Sequence, residues 1–159
     1  MTAKQMNKQI EAMGHDAESI EAARIRALCS FLECEPEELT EGYRDGMLEH
    51  GNREYLVLTD AEADAACVEH IKESAWAFNA SFLAGFTGLP ETVFEALQPQ
   101  CEGCNDAVLA LIEKGGTIED FAREAVAADG RGHFLSSYDG NENEQRDGEG
   151  ETFYIYRVN

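Results

Sequence analysis

Residues 53–86 constrain the fold most, because two kinds of hydrophobic pattern follow each other there without a gap. The run "EYLVL", residues 54–58, is apolar and aromatic, which is typical of a β-strand. Thr59 and Glu62 then match the two positions of a capping box, which predicts that a helix begins at this point. Apolar residues continue at steps of four and three, which predicts a buried helical stripe made of Cys67, Ile71, Ala75, Phe78 and Phe82.

The rest of the chain predicts further helices and one more strand. Three helical patterns are expected: one that starts at Pro90, one that ends at the Gly115-Gly116 pair, and one capped by Thr117. The closing run "TFYIYRV", residues 152–158, is rich in aromatic and β-branched residues, as strands are. We therefore predict an α+β fold, a mainly helical single domain with a small antiparallel sheet whose strands lie near 54–58 and 152–158.

The domain organisation predicted from these patterns is simple. Residues 20–159 are expected to form one compact acidic α+β domain, and residues 1–19 an N-terminal segment whose order the sequence leaves open. Residues 20–42 outline a small helical lobe, because a helical pattern stops at "CEPEEL" and Pro36 suits the first turn of a second short helix. That second helix would offer glutamates where a DNA-reading helix offers bases and amides, so we interpret the lobe as a packing unit.

The charge balance excludes one class of function. The chain has 12 basic and 32 acidic residues and a formal net charge of −20. Direct binding to nucleic acid is not expected, because it depends on Lys and Arg side chains that neutralise phosphates. The acids are concentrated on the helix after Thr59 and in the stretch 139–151, which is predicted to be a loop. The predicted partner-binding residues are Asp60, Glu62, Asp64, Glu69, Glu73, Asp139, Glu142, Glu144, Asp147, Glu149 and Glu151.

The cellular location is predicted from what the sequence does not contain. No run reaches the ~20 apolar residues of a membrane span, and the N-terminus has no apolar signal-peptide core. The five cysteines are an odd number, which favours reduced thiols over a disulfide framework. We predict a cytoplasmic protein with no membrane contact.

Two sequence patterns suggest a metal, and both are incomplete. Asp139, Asn141 and Asn143 match the first three ligand positions of a calcium loop, but the required glycine is replaced by Glu144 and the required bidentate glutamate by Gly150.

Cys101 and Cys104 form a CxxC pair, which is half of a zinc site. The other possible ligands, Cys34, His50, Cys67 and His133, are scattered without ligand spacing. We predict no cofactor and no metal, with the CxxC pair as the candidate ligands if one binds.

Catalysis has little support in the sequence. His133 lies near Ser136, Ser137 and Asp139, which supplies the residue types of a nucleophilic triad. There is no nucleophile elbow, phosphate-binding loop, H-E-x-x-H motif or dinucleotide fingerprint. We interpret His133 as a partly buried structural histidine and predict that the protein is not an enzyme.

Three segments, "EYLVLTDAEADAA", "WAFNASFL" and "RGHFLSSYDGNENE", resemble an acidic protein family of bacteriophages and mobile elements. The resemblance covers residues 20–159, and the family has no established activity or site residues to carry over. It implies an accessory protein in the cytoplasm of a bacterial host, where phages carry small inhibitors of host defence.

This setting and the charge together lead to a functional hypothesis: an anti-CRISPR or anti-restriction inhibitor that acts by DNA mimicry. Its partner would be a basic nucleic-acid-binding protein or a CRISPR or restriction effector complex. Two alternatives stay open. The acids can serve solubility alone, or the protein can be an acidic accessory protein with a small zinc or calcium site or an enzymatic activity without a recognisable motif. The sequence leaves the target and the oligomeric state open.

Overall fold

The computed structural model describes the backbone of residues 17–159 and the side chains of residues 20–159. It confirms the α+β class, because helices predominate and the strands form one small antiparallel sheet. The chain divides into two compact units. We call them the sheet unit, which contains residues up to 61 and 136–159, and the helical unit, residues 62–135.

Among the residues that the structure describes, the sheet unit contains one α-helix and five strands. The strands follow the spatial order β1-β2-β3-β5-β4, and each neighbouring pair is antiparallel. The predicted pairing of the two apolar runs is confirmed, since Val57 lies opposite Ile155 and Leu58 opposite Tyr154. The elements are α1 (Ala17–Leu32), β1 (Leu39–Glu41), β2 (Met47–His50), β3 (Arg53–Leu58), β4 (Asn143–Arg146) and β5 (Thr152–Arg157).

Helix α1 packs on one face of this sheet. Its small and branched residues allow close approach and form a buried cluster with side chains that alternate along β3 and β5. Arg24 is also buried on this helix, and its guanidinium donates to the carbonyl of Val57 over 2.6 Å, which offsets the cost of burying the charge. The cluster comprises Ala23, Ala27, Leu28, Leu48, Tyr55, Val57, Phe153 and Ile155.

Two local predictions for the sheet unit are wrong. The short helix expected after Pro36 is a single 3-10 turn, Pro36–Glu38, and the chain then enters β1. The acidic stretch 139–151 is not a plain loop, because it contains β4, which pairs with β5 in a hairpin. Hydrogen bonding to a neighbouring strand outweighs the low strand propensity of Asn143 and Glu144, since propensity is a weak guide in sheets.

The helical unit contains most of α2 and five further helices. Helix α2 begins directly after Thr59, as predicted, and contributes Ala63, Cys67 and Ile71 to the core. None of the helices in the described chain is long and apolar enough to cross a membrane. The helices are α2 (Asp60–Ser74), α3 (Ala80–Thr87), α4 (Glu91–Leu97), α5 (Asn105–Ile112), α6 (Ile118–Asp129) and α7 (Arg131–Leu135).

The predicted stripe from Cys67 to Phe82 is interrupted after Ser74. A 3-10 turn, Ala75–Ala77, follows, and Phe78 is extended before α3 begins. Polar side chains satisfy the main chain at this break: Asn105 Oδ1 accepts from the Trp76 N–H over 3.1 Å, and Gln98 Nε2 donates to the Trp76 carbonyl over 3.1 Å. Both partners are distant in sequence, so the local pattern could not reveal the break.

Aromatic rings fill the centre of the helical unit. Phe121 is fully buried, and the ring of Phe78 meets it edge-on with centroids 5.0 Å apart. Phe82 and Phe86 approach the same ring at 5.5 Å and 5.1 Å. Helix α6, which carries Phe121, starts with the predicted cap at Thr117, whose hydroxyl accepts from the Asp120 N–H. This core holds the outer helix faces in fixed positions.

Candidate functional site

The predicted partner-binding acids of α2 lie near the surface. Asp60, Asp64, Glu69 and Glu73 are exposed, and Glu62 is half-buried. Two of them meet bases of the same unit: Arg131 lies 3.0 Å from Asp64, and Lys72 lies 3.1 Å from Glu69.

These five acids do not share one face of the helix. Successive residues rotate by about 100° around an α-helix, so Glu62, Glu69 and Glu73 fall within roughly 40° of one another. That group points away from the buried side of α2. Asp60 and Asp64 lie at least ~140° from the group, on the flank of the buried side. The helix therefore carries two separate groups of acids.

The acids of the β4–β5 hairpin form a second surface, which we call the hairpin acids: Glu142, Glu144, Glu149 and Glu151. All four are exposed. Glu144 lies opposite Tyr154 in the β4–β5 register, and Glu142 accepts a hydrogen bond from the Tyr156 hydroxyl. Of the four, Glu144 belongs to β4, where pairing with β5 fixes its backbone; Glu142 directly precedes β4, and Glu149 and Glu151 lie in the segment between the two strands.

Asp147 is a correction to the predicted partner-binding set. Its side chain is buried, and one carboxylate oxygen accepts from the N–H groups of Glu149 (2.8 Å) and Glu151 (3.1 Å). Arg26 reaches the other oxygen at 3.0 Å. These contacts, led by the Glu149 N–H, hold the pKa of Asp147 below its usual value of 3.8. Asp147 therefore closes the hairpin turn and offers no charge to a partner.

Asp139 is exposed but also has a structural role. Its Oδ1 accepts from the Asn141 N–H over 2.9 Å and lies 2.8 Å from the Ser136 hydroxyl. The Asn141 N–H is the main cause that lowers the pKa of Asp139. Asn143, the third residue of the calcium-like pattern, belongs to β4 and donates its side-chain amide to the Ile155 carbonyl. Asp139 and Asn141 therefore form a turn, and Asn143 is part of a strand.

The residues considered for a triad have other contacts. His133 lies in α7 and is exposed, with its ring edge-on to Phe134 at 4.9 Å, so the interpretation as a partly buried residue is wrong. The Ser136 hydroxyl lies within hydrogen-bond distance of Asp139 and of the Arg157 carbonyl.

The CxxC pair is split between two environments. Cys101 is exposed and adopts φ 52°, ψ −132°, whereas Cys104 is buried and its thiol donates to the Cys101 carbonyl over 3.1 Å. A different set of possible ligands comes together in the sheet unit. One ligand atom from each of Cys34, Glu38 and His50 lies within 4.8 Å of the other two.

Comparisons of the chain with protein-family models, curated proteins and solved structures give no match. The resemblance to a bacteriophage and mobile-element family stays a prediction.

Proposed function

We propose that the protein inhibits a bacterial defence nuclease system by occupying the basic nucleic-acid-binding surface of a CRISPR or restriction effector. The observation that carries the proposal is a set of exposed carboxylates within each unit: the hairpin acids in the sheet unit, and Glu69 and Glu73 of α2 in the helical unit. Each set presents several negative charges close together, as a DNA backbone does to such an effector. The bacteriophage setting comes from the family resemblance alone.

The local charge balance supports a strongly negative surface. The helical unit has 13 acidic residues and four basic ones. Three of these bases, Lys72, Arg123 and Arg131, lie within 3.1 Å of an acid of the same unit. These cations are therefore already balanced, and the remaining carboxylates dominate the field that a basic partner meets.

The spacing of the acids also supports mimicry. Each strand of B-DNA carries one phosphate per about 3.4 Å of helix axis. Glu69 and Glu73 are separated by about 6 Å along α2, and Glu142 and Glu144 by about 7 Å along extended backbone. Both separations are close to the axial rise of two nucleotides.

Opposite charge on the two proteins mainly raises the rate at which they associate. Opposite charges steer two proteins together, and the gain falls steeply as salt screens the field. An inhibitor of this kind competes with DNA for the same basic surface, and its own association with that surface is fastest at low ionic strength.

The proposal is tested by phage plating. Bacterial hosts that each carry one CRISPR or restriction system express the protein, and the plating efficiency of a sensitive phage is measured on each. We expect restored plating with at least one system. A chain that restores plating with none of a broad panel of systems would contradict the proposal.

Charge variants separate mimicry from a surface that serves solubility alone. The variant Glu142→Gln, Glu144→Gln, Glu149→Gln removes three hairpin charges. The matched control Glu91→Gln, Glu95→Gln, Glu124→Gln removes three exposed charges from the helical unit instead. Mimicry predicts that the first variant loses protection and the control keeps it. A purely solubilising surface, or one that guards the edge strand β4 against aggregation, predicts no such difference.

A further inference from the structure

We propose that Cys34, Glu38 and His50 bind one zinc ion, with the thiol of Cys29 as the fourth ligand. Sulfur, imidazole nitrogen and a carboxylate oxygen are the donors of tetrahedral zinc sites, whereas calcium and magnesium select oxygen alone. This site lies in the sheet unit and is independent of the proposed inhibitory function.

The end of α1 brings the two cysteines together. The helix ends at Leu32, and Glu33 adopts a left-handed conformation with φ 56°. This reversal lets the Cys34 N–H donate to the Cys29 carbonyl over 3.2 Å, the long bond of a Schellman motif. Two residues five apart therefore meet because the helix is capped, although their spacing is not that of a zinc motif.

The following turn positions the carboxylate. Pro36–Glu38 form the 3-10 turn, and the Glu35 N–H donates to Glu38 Oε2 over 2.7 Å. One oxygen of Glu38 is held in this way, and the other lies 4.0 Å from His50 Nε2. A ligand that is itself hydrogen-bonded is oriented for the metal, as is common in natural zinc sites.

The sheet supplies the imidazole. His50 is the last residue of β2 and lies opposite Leu39 of β1, so the strand that follows the turn runs beside it. His50 and Glu38 keep 30% and 55% of their side-chain surface exposed, which leaves a path for an ion to enter.

The distances between the ligand atoms are only slightly longer than those of a tetrahedral zinc site. In a tetrahedral site with bonds of about 2.0–2.3 Å, neighbouring ligand atoms lie roughly 3.3–3.8 Å apart. The Glu38–His50 pair at 4.0 Å is already near this range, and the set of three lies within 4.8 Å. Cys29 lies outside this set, so rotations of these partly exposed side chains, including that of Cys29, must close the remaining gap. Each thiol gives up its proton to solvent as its sulfur binds the ion, so no redox step is involved.

The test is a cobalt and zinc titration of the full chain, made metal-free and kept reduced with a non-thiol reductant. Co²⁺ stands in for Zn²⁺ because its thiolate bonds absorb in the near ultraviolet. We expect one Co²⁺ per chain, a thiolate band that Zn²⁺ abolishes by displacement, and a higher Tm with Zn²⁺. Failure of the reduced chain to bind either ion would overturn the proposal.

Matched variants locate the ion. Cys34→Ser and His50→Gln are expected to weaken zinc binding by at least about 10- to 100-fold. Loss of a residue that only hydrogen-bonds to a metal ligand already has an effect of that size, and these two residues are proposed as ligands themselves. The control Cys101→Ser, Cys104→Ser keeps full binding. The reverse pattern, with binding lost only in the control, would place the metal at the CxxC pair and overturn the proposal.

Two further variants test the remaining ligands, Glu38 and Cys29. Glu38→Gln keeps the size of an exposed side chain and serves as a second ligand variant if Cys34→Ser fails to fold, as judged by circular dichroism. Cys29→Ser is expected to reduce the thiolate band by about half, because one of two sulfur ligands is lost. An unchanged band would show that Cys29 is not a ligand and overturn that part of the proposal.

Discussion

Two groups of acids in the sheet unit do different work, although both contribute to the same net charge. In the first group Asp147 closes a hairpin turn, Asp139 caps a loop and Glu38 caps a 3-10 turn. The second group, the hairpin acids, is exposed, as are Glu69 and Asp64 of the helical unit, which each pair with one base. Net charge alone therefore overstates the number of acids available to a partner, and burial and hydrogen bonding show which ones remain.

The largest expected effect tests the core that holds the helical surface in place. Phe121→Ala removes a fully buried ring that contacts Phe78, Phe82 and Phe86, and should cost about 3–5 kcal/mol of unfolding free energy. Phe78→Ala should cost less, because Phe78 is half-buried. Urea denaturation of the two variants checks this order. Equal, small losses would mean that the aromatic cluster does not organise the unit.

A smaller effect is expected for the structural acid of the sheet unit. Asp147→Asn weakens the hydrogen bonds from the Glu149 and Glu151 N–H groups and the ion pair with Arg26. We expect a Tm lower by at least about 5 °C, because hydrogen bonds to a buried charge are among the stronger ones. The control Glu144→Gln, on the exposed side of the same hairpin, should change the Tm little. Similar values for both variants would remove the distinction between structural and presented acids.

The pH dependence of stability also separates the structural acids from the exposed ones. The folded pKa values of Asp139 and Asp147 lie below the ordinary value of 3.8. Their contribution to stability is therefore complete above the unfolded pKa and is lost as pH falls through the folded pKa. Thermal unfolding from pH 6 to pH 2 should show a decline below about pH 4 that is shallower in Asp147→Asn than in the parent. Parallel curves would contradict the role assigned to Asp147.

Much of the fold was predictable because its signals are local. The apolar runs at 54–58 and 152–158 marked the two central strands, and Thr117 marked the start of α6 through its own capping hydrogen bond. The break after Ser74 was not predictable, since it depends on Gln98 and Asn105, which lie more than 20 residues away along the chain.

The candidate sites were less predictable for the same reason. In the sequence, nothing distinguishes Asp147 from the other acids of its stretch. Its structural role depends on Arg26, which lies 121 residues away along the chain. Cys34 and His50 had no ligand spacing, because a helix cap and a strand pairing bring them together. The non-glycine left-handed residue Glu33 leaves no signal in the sequence, although a helical pattern that stops between two cysteines could have suggested the turn.

We propose that the hairpin acids steer the protein to a basic partner. The most direct measurement is the association rate constant with an effector identified by plating, followed from low to high salt. We expect the association rate constant of the parent chain to fall steeply with salt. At low salt, the Glu142→Gln, Glu144→Gln, Glu149→Gln variant should associate at least about tenfold more slowly than the parent, and at high salt the two rates should converge. The control variant, Glu91→Gln, Glu95→Gln, Glu124→Gln, should not show this loss at low salt. Identical rates for all three chains at every salt concentration would contradict the proposal.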